Sequence, residues 1–295
     1  MIILNTFNWR LTNVTENIEF FKYQGVDAIQ TSPVTECKSI NEYNADKEWW
    51  KLYQILNFNI GNRLGTKDDL RDLCKESHKY DIFVFPDVVM RHVAGNDNGK
   101  LEPHQDVDKE LLKYIITQDY TNPDNRFDII NGCWGMPRLD YKSTELQEKV
   151  YVPFLDELFS LGCDGFRLDM CKHYALPEEG CNIWYNVFSR YKDKFIYGEC
   201  LNCPTYLLNK YTKQCKVLVD EYANMDRGSV RFFESHDTYY HSWSNTNELN
   251  DNQRLEKLSY LCKHYHNVMF FVRPWDRLIY SDDFRKVCTD SLNIA

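Results

Sequence analysis

An α/β fold, a (β/α)8 TIM barrel, is what the 295-residue sequence predicts, and three observations carry that expectation. Short apolar runs recur along the chain with amphipathic stretches between them, the pattern of repeating βα units. Charged residues close several of those runs, at the carboxyl ends of strands where barrels of this kind carry their chemistry. The length accommodates one barrel of about 250 residues with room for an insertion.

Taken in order, the expected strands are Ile2–Thr6, Asp27–Thr31, Ile82–Pro86, Gly165–Asp169, Phe195–Gly198, Val217–Val219, Ser229–Phe233 and Val268–Phe271. The helix before the third strand opens at Thr66, with Asp69 three residues on and Leu70, Leu73 and Cys74 on one face. A polar, Asn- and Asp-rich stretch follows Arg91 and is too long for an ordinary βα loop. It predicts a barrel formed by residues 1–91 and 145–295, with an inserted small subdomain over residues 92–144 after strand three, above the barrel mouth. A further helix opens at Ser143 or Thr144 and stops at Gly162, with a kink expected at Pro153.

Composition narrows the function classes. Hydrophobic residues make up 43% and charged residues 27%, the balance of a soluble globular chain. No apolar run approaches the roughly 18 residues of a membrane span, and "MIILNTFNWR" lacks the sections of a secretory signal. Eleven cysteines run from Cys37 to Cys288, with one C-x-x-C pair, Cys200 and Cys203. An odd number without an export signal predicts reduced thiols and a cytoplasmic location. A net charge of −9 argues against nucleic acid as partner and suits a neutral ligand.

The chemistry gathers at strand ends. In "GFRLDMCKH" the alternation of Phe166, Leu168 and Met170 sends Arg167 and Asp169 to one common face. "FPDVVMRH" supplies Asp87 and His92, "IYGEC" supplies Glu199, and "FFESHDT" supplies His236 and Asp237.

These four stretches, in this order, resemble the motifs of the α-amylase family, the (β/α)8 glycoside hydrolases of α-glucosidic bonds. "EWWKLYQILNFNIGNRLGTKDDL" and "GMPRLD" extend the likeness to nearly the whole chain. The resemblance implies that Asp169 is the nucleophile, Glu199 the general acid/base and Asp237 the stabiliser of the transition state. Acetal cleavage needs one protonated and one ionised carboxyl group, and Arg167 is expected to hold Asp169 ionised and oriented. His92, His236 and the ring of Tyr53 are implied to hold the sugar, with Gln54, Trp49 and Trp50 nearby. Asp87, Arg167, Lys172 and His173 complete the expected substrate-binding set.

Relatives with calcium use an Asn before the first histidine, a subdomain Asp and a main-chain carbonyl. Asp140 and His173 match the last two positions, while Arg91 stands at the first. A guanidinium cannot ligate a cation and is expected to pair with Asp140, so no metal or other cofactor is expected. Ser235 stands where chloride-activated relatives carry Asn, so chloride is not expected either. Relatives usually continue into a C-terminal β-sandwich domain, which is absent from this sequence. The function these features imply is a retaining glycosidase acting on α-1,4-glucosidic bonds in starch, glycogen or maltooligosaccharides, with no nucleic-acid or membrane partner. The alternatives are an α-glucan transglycosidase using the same covalent intermediate, or a non-catalytic carbohydrate-binding homologue, against which retention of all three acids argues.

Overall fold

The computed structural model describes residues 1–225, 228–240 and 248–290. Eight parallel strands close into a barrel: β1 (Ile2–Thr6), β2 (Ala28–Pro33), β3 (Phe83–Val88), β4 (Gly165–Leu168), β5 (Phe195–Glu199), β6 (Lys216–Asp220), β7 (Ser229–Phe232) and β8 (Val268–Val272). Each follows its predecessor around the ring, and β1 closes on β8 over five register pairs from Ile2–Val268 to Thr6–Val272. All eight expected strands are present, with ends that differ by one or two residues.

Alternation sorts the strand residues into two cores. Ile3, Ala28, Phe85, Tyr197, Leu218, Val230, Phe232 and Met269 fill the barrel interior. Their neighbours Ile2, Leu4, Ile29, Val84, Phe166 and Ile196 face outward into the shell shared with the helices. Period 2 therefore continues the inward face of β3 from Phe85 to Asp87 and that of β5 from Tyr197 to Glu199. Arg167 on β4 is in register with both Asp87 and Tyr197. The charged residues form the top layer of the same interior column.

Local signals explain the helices. Thr66 caps the helix Lys67–Lys79 by accepting from the Asp69 N–H, while the Asp69 carboxylate accepts from the Thr66 N–H, a reciprocal pair of about 1 kcal/mol. Ser143 caps the helix that begins at Thr144. Near Pro153 the expected kink takes a specific form: residues Gln147–Tyr151 widen into a π-helix before Val152–Ser160 resume as α-helix. Proline lacks an N–H and its ring clashes with the carbonyl four residues back, and a π turn relieves both problems. Gly162 (φ +107°) then ends the helix.

Two long excursions stand on the carboxyl-end side of the barrel. The segment after β2 forms a small antiparallel sheet of Thr35–Cys37, Ile55–Asn62 and Gly65–Thr66, an element the sequence patterning does not reveal. The segment after β3 carries helices Lys109–Leu112 and Arg126–Asn131 and pairs Ile115–Ile116 with Arg138–Leu139. Its Val107, Leu111, Tyr114, Ile130 and Leu139 join the outer core of the barrel.

Candidate functional site

The strand ends converge on Arg167, which is 1% exposed. Its Nη1 donates to Asp87 Oδ1 and Oδ2, both at 2.9 Å, and to Asp169 Oδ1 at 2.7 Å, while its Nη2 donates to Glu199 Oε1. The other Glu199 oxygen accepts from the Met170 N–H at 3.1 Å. Met170 reaches this position through a left-handed turn (φ +50°) directly after Asp169.

One guanidinium thus serves three carboxyl groups, so full ionisation would leave two uncompensated negative charges in a buried site. Burial is the largest influence on each acid. It raises Asp87, Asp169 and Glu199 above the ordinary carboxylate range, with Arg167 the strongest opposing influence. For Asp169 the upward push is large, and neighbouring Glu199, Asp87 and Asp237 add to it. Arg167 thus orients all three acids and opposes the upward push of burial on each of them.

A cavity of about 270 Å³ opens above this layer, lined by Trp49, Trp50, Tyr53, Gln54, His92, Met136, Asp169, Met170, Glu199, His236 and Asp237. Tyr53 donates its hydroxyl to Asp87 Oδ2 at 2.8 Å and stacks on His236 (5.1 Å, 19°). Phe7 stacks on the same imidazole (4.7 Å, 2°), so His236 is clamped between two rings. His236 Nε2 lies 3.4 Å from Asp237 Oδ2. His92 bonds through Nε2 to the Tyr53 carbonyl at 2.9 Å; burial lowers its pKa to about 4, which leaves a neutral ring whose buried Nδ1 has no partner among the described residues. Gln54 Oε1 accepts from the Gly95 N–H, tying the cavity wall to the segment after β3.

Other expected residues lie elsewhere. Asp87 and Arg167 sit beneath the cavity floor. Lys172 does not line the cavity, and its Nζ donates to the Leu201 carbonyl at 2.7 Å. His173 faces the insertion, with Nδ1 2.8 Å from the Ile129 carbonyl and its ring edge-on to Trp134. Met136 and Met170 in the lining and Phe7 behind His236 are not apparent from the sequence. Only the position of Phe7, immediately after β1, offers a signal.

The junction of barrel and insertion tests whether a calcium ion fits. Arg91, 1% exposed, donates from Nε to the His173 carbonyl at 3.2 Å and from Nη2 to the carbonyls of Ile130 and Gly132 at 3.0 and 2.9 Å. Its guanidinium also lies over the Tyr141 ring, 5.0 Å from the centroid. The carbonyl of His173 is committed to a permanent cation, so this donor set does not fit Ca2+. The expected ion pair with Asp140 does not form among the described residues. Three carbonyls accept from Arg91 Nε and Nη2, and half-buried Asp140 instead anchors its own N–H to the Tyr114 carbonyl.

Comparison with known proteins matches residues 9–270 to the family described as Alpha amylase, catalytic domain. An alpha-amylase of Clostridium acetobutylicum is 31% identical over 92% of this chain and 40% of its own length. An alpha-amylase of Butyrivibrio fibrisolvens is 27% identical over 68% of this chain and 23% of its own length. The chain thus spans two fifths or less of these relatives. Among solved structures, the alpha-amylase of Geobacillus thermoleovorans complexed with acarbose superposes with a TM-score of 0.77 at 19% identity, covering 99% of this chain and 78% of that one. The barrel, the ordered strand-end motifs and the match over residues 9–270 lead to one conclusion: this chain belongs to the α-amylase family.

Proposed function

We propose that the chain is a retaining glycosidase that hydrolyses α-1,4-glucosidic bonds of starch, glycogen or maltooligosaccharides by double displacement. The observation that carries this reading is the sharing of Arg167 by Asp169 and Glu199 on the cavity floor. Two adjacent nitrogens of one guanidinium bridge the acids, which supports the close spacing of about 5 to 5.5 Å used for direct attack rather than the wider spacing that admits a water.

Glu199 protonates the glycosidic oxygen, a task suited to a carboxyl group raised by burial. Asp169 attacks the anomeric carbon from the opposite side and forms the glycosyl ester, with Asp237 facing the developing positive charge. Glu199 then takes a proton from water, which opens the ester and returns both acids to their starting states. Tyr53 offers an aromatic face to the sugar, and His92 forms part of the cavity wall beside it.

Digestion of maltoheptaose, with product sizes resolved by chromatography and anomeric form by NMR, tests the proposal. Shorter maltooligosaccharides released first as the α-anomer are expected. Release as the β-anomer, or no cleavage, overturns it; products longer than the substrate assign the chain to transglycosylation instead.

A further inference from the structure

All eleven cysteines are thiols, and four of them collect beside Glu199. Cys171 lies in the turn after β4, Cys200 directly follows β5, Cys203 comes three residues later, and Cys215 immediately precedes β6. The sulfurs of Cys171 and Cys215 both stand over Gly198, the residue before Glu199. Among the described residues no group of three or more His, Cys, Asp or Glu is arranged to hold a metal ion. Residue 198 is glycine because any side chain there would overlap the Cys171 sulfur.

The C-x-x-C pair, Cys200 and Cys203, flanks a turn that brings the two residues close along the backbone. Leu201 and Asn202 form a turn, with Asn202 in the left-handed region (φ +49°). The ends of a four-residue turn lie within about 7 Å, which overlaps the Cα separations of disulfides, about 4.4 to 6.8 Å. Cys200 is 2% exposed, while Cys203 is half-buried and opens the pair to solvent. Burial pushes the Cys200 thiol up, while the neighbouring Cys171 and Cys203 thiols bring it below the ordinary cysteine value and Cys203 is raised in turn, so Cys200 is the more readily ionised of the two.

We propose that Cys200 and Cys203 form a reversible oxidation site, closed to a disulfide by a small hydroperoxide, which lowers activity by displacing Glu199. The Cys200 thiolate attacks the O–O bond, releasing the alcohol (water, for hydrogen peroxide) and becoming a sulfenic acid. The Cys203 sulfur then displaces the sulfenic oxygen as water. Two thiols and one hydroperoxide give one disulfide, one alcohol and one water; the dithiol loses two electrons and the hydroperoxide gains them. The effect on Glu199 is short-range. Cys200 is the residue after Glu199, whose Oε2 accepts from the Met170 N–H, so closing the turn shifts the backbone that sets this contact. The functional part of this inference rests on the glycosidase reading, whereas formation of the disulfide does not.

The test uses the full chain, reduced and freed of reductant, then treated with hydrogen peroxide. Remaining thiols are alkylated, and the linkages are mapped by mass spectrometry. Activity on maltoheptaose is measured before oxidation, after it, and after dithiothreitol. A Cys200–Cys203 linkage is expected, with kcat lowered about tenfold or more, KM changed less, and full recovery on reduction. Cys203→Ser, and Cys203→Ala as a second variant, keep the reduced rate and lose both the linkage and the reversible response. Oxidation confined to another pair, such as Cys74 and Cys163 with sulfurs 3.8 Å apart, overturns the proposal, as does a reversible response that persists in both variants. If the reduced chain cleaves no glucan, the glycosidase reading fails, and the linkage map alone decides whether the oxidation site exists.

Discussion

Arg167 and Arg91 are equally buried, each 1% exposed, yet they do different work because of what surrounds them. Among the described residues Arg167 donates only to carboxyl groups, at the ends of β3, β4 and β5. Among the described residues Arg91 donates only to carbonyl oxygens, one from the turn after β4 and two from the insertion. The acids around Arg167 compete for its charge and are groups that can gain or lose a proton. The carbonyls around Arg91 do not titrate, so that contact is a strut. A buried cation becomes part of a reactive centre when its partners can gain or lose protons, and part of a scaffold when they cannot.

The largest effect that could break this contrast lies on the Arg167 side. Asp169→Asn removes the attacking oxyanion without changing volume and is expected to lower glucan cleavage by about 10⁴-fold or more while circular dichroism and melting stay near those of the parent. Turnover within tenfold of the parent would show that the carboxyl cluster is not the reactive centre.

On the Arg91 side the expected loss is in stability. Arg91→Met strands three carbonyl oxygens in the interior and should destabilise the chain by about 3 kcal/mol or more in urea unfolding, with an altered midpoint. A smaller, pH-dependent effect belongs to His173, whose carbonyl Arg91 holds. Burial first and Arg91 second lower its imidazole from 6.5 to about 3. Between those values the unfolded chain binds the proton and the folded chain does not, so stability falls as pH drops from 6.5 toward 3. At pH 5 this amounts to about 2 kcal/mol, and His173→Gln should flatten the dependence by that amount. An unchanged slope would place the acid sensitivity elsewhere. The smallest expected effect is none at all: a chelator should leave the melting temperature of the parent unmoved, because no calcium linkage contributes at a junction held by a guanidinium. A drop reversed by calcium would show that the strut is not what holds the insertion.

The same contrast governs what could be read from the sequence. Asp87, Arg167, Asp169 and Glu199 are legible because they sit at fixed steps along inward-facing alternations, and residue type states their chemistry. The eight strands are legible because both faces are apolar. The partners of Arg91 are not, since Ile130, Gly132 and His173 contribute carbonyls that every residue possesses, and Asp140 was the only partner with a visible charge. Met136 reaches the cavity through tertiary folding of the insertion, which leaves no period in the sequence. The sheet formed by Thr35–Cys37, Ile55–Asn62 and Gly65–Thr66 was hidden by short strands and an irregular register. The π turn before Pro153 depends on backbone relaxation that residue type announces only as a kink.

The way the barrel closes has a consequence for how the chain reaches this state. β8 is registered to β1 over five residue pairs but to β7 at only one, Arg231–Val268. The ladder that secures the last strand is thus the one with the greatest sequence separation, and its closure entropy must be met before it returns any stability. At about 5 to 20 residues per second, β1 leaves the ribosome roughly 15 to 50 s before its partner is made. Through that interval "IILNT", buried at every position in the native state, waits as an unpaired apolar edge. Pulse-labelling hydrogen exchange during refolding should find the β1–β8 amides among the last to gain protection, after the β2–β3 ladder has already formed.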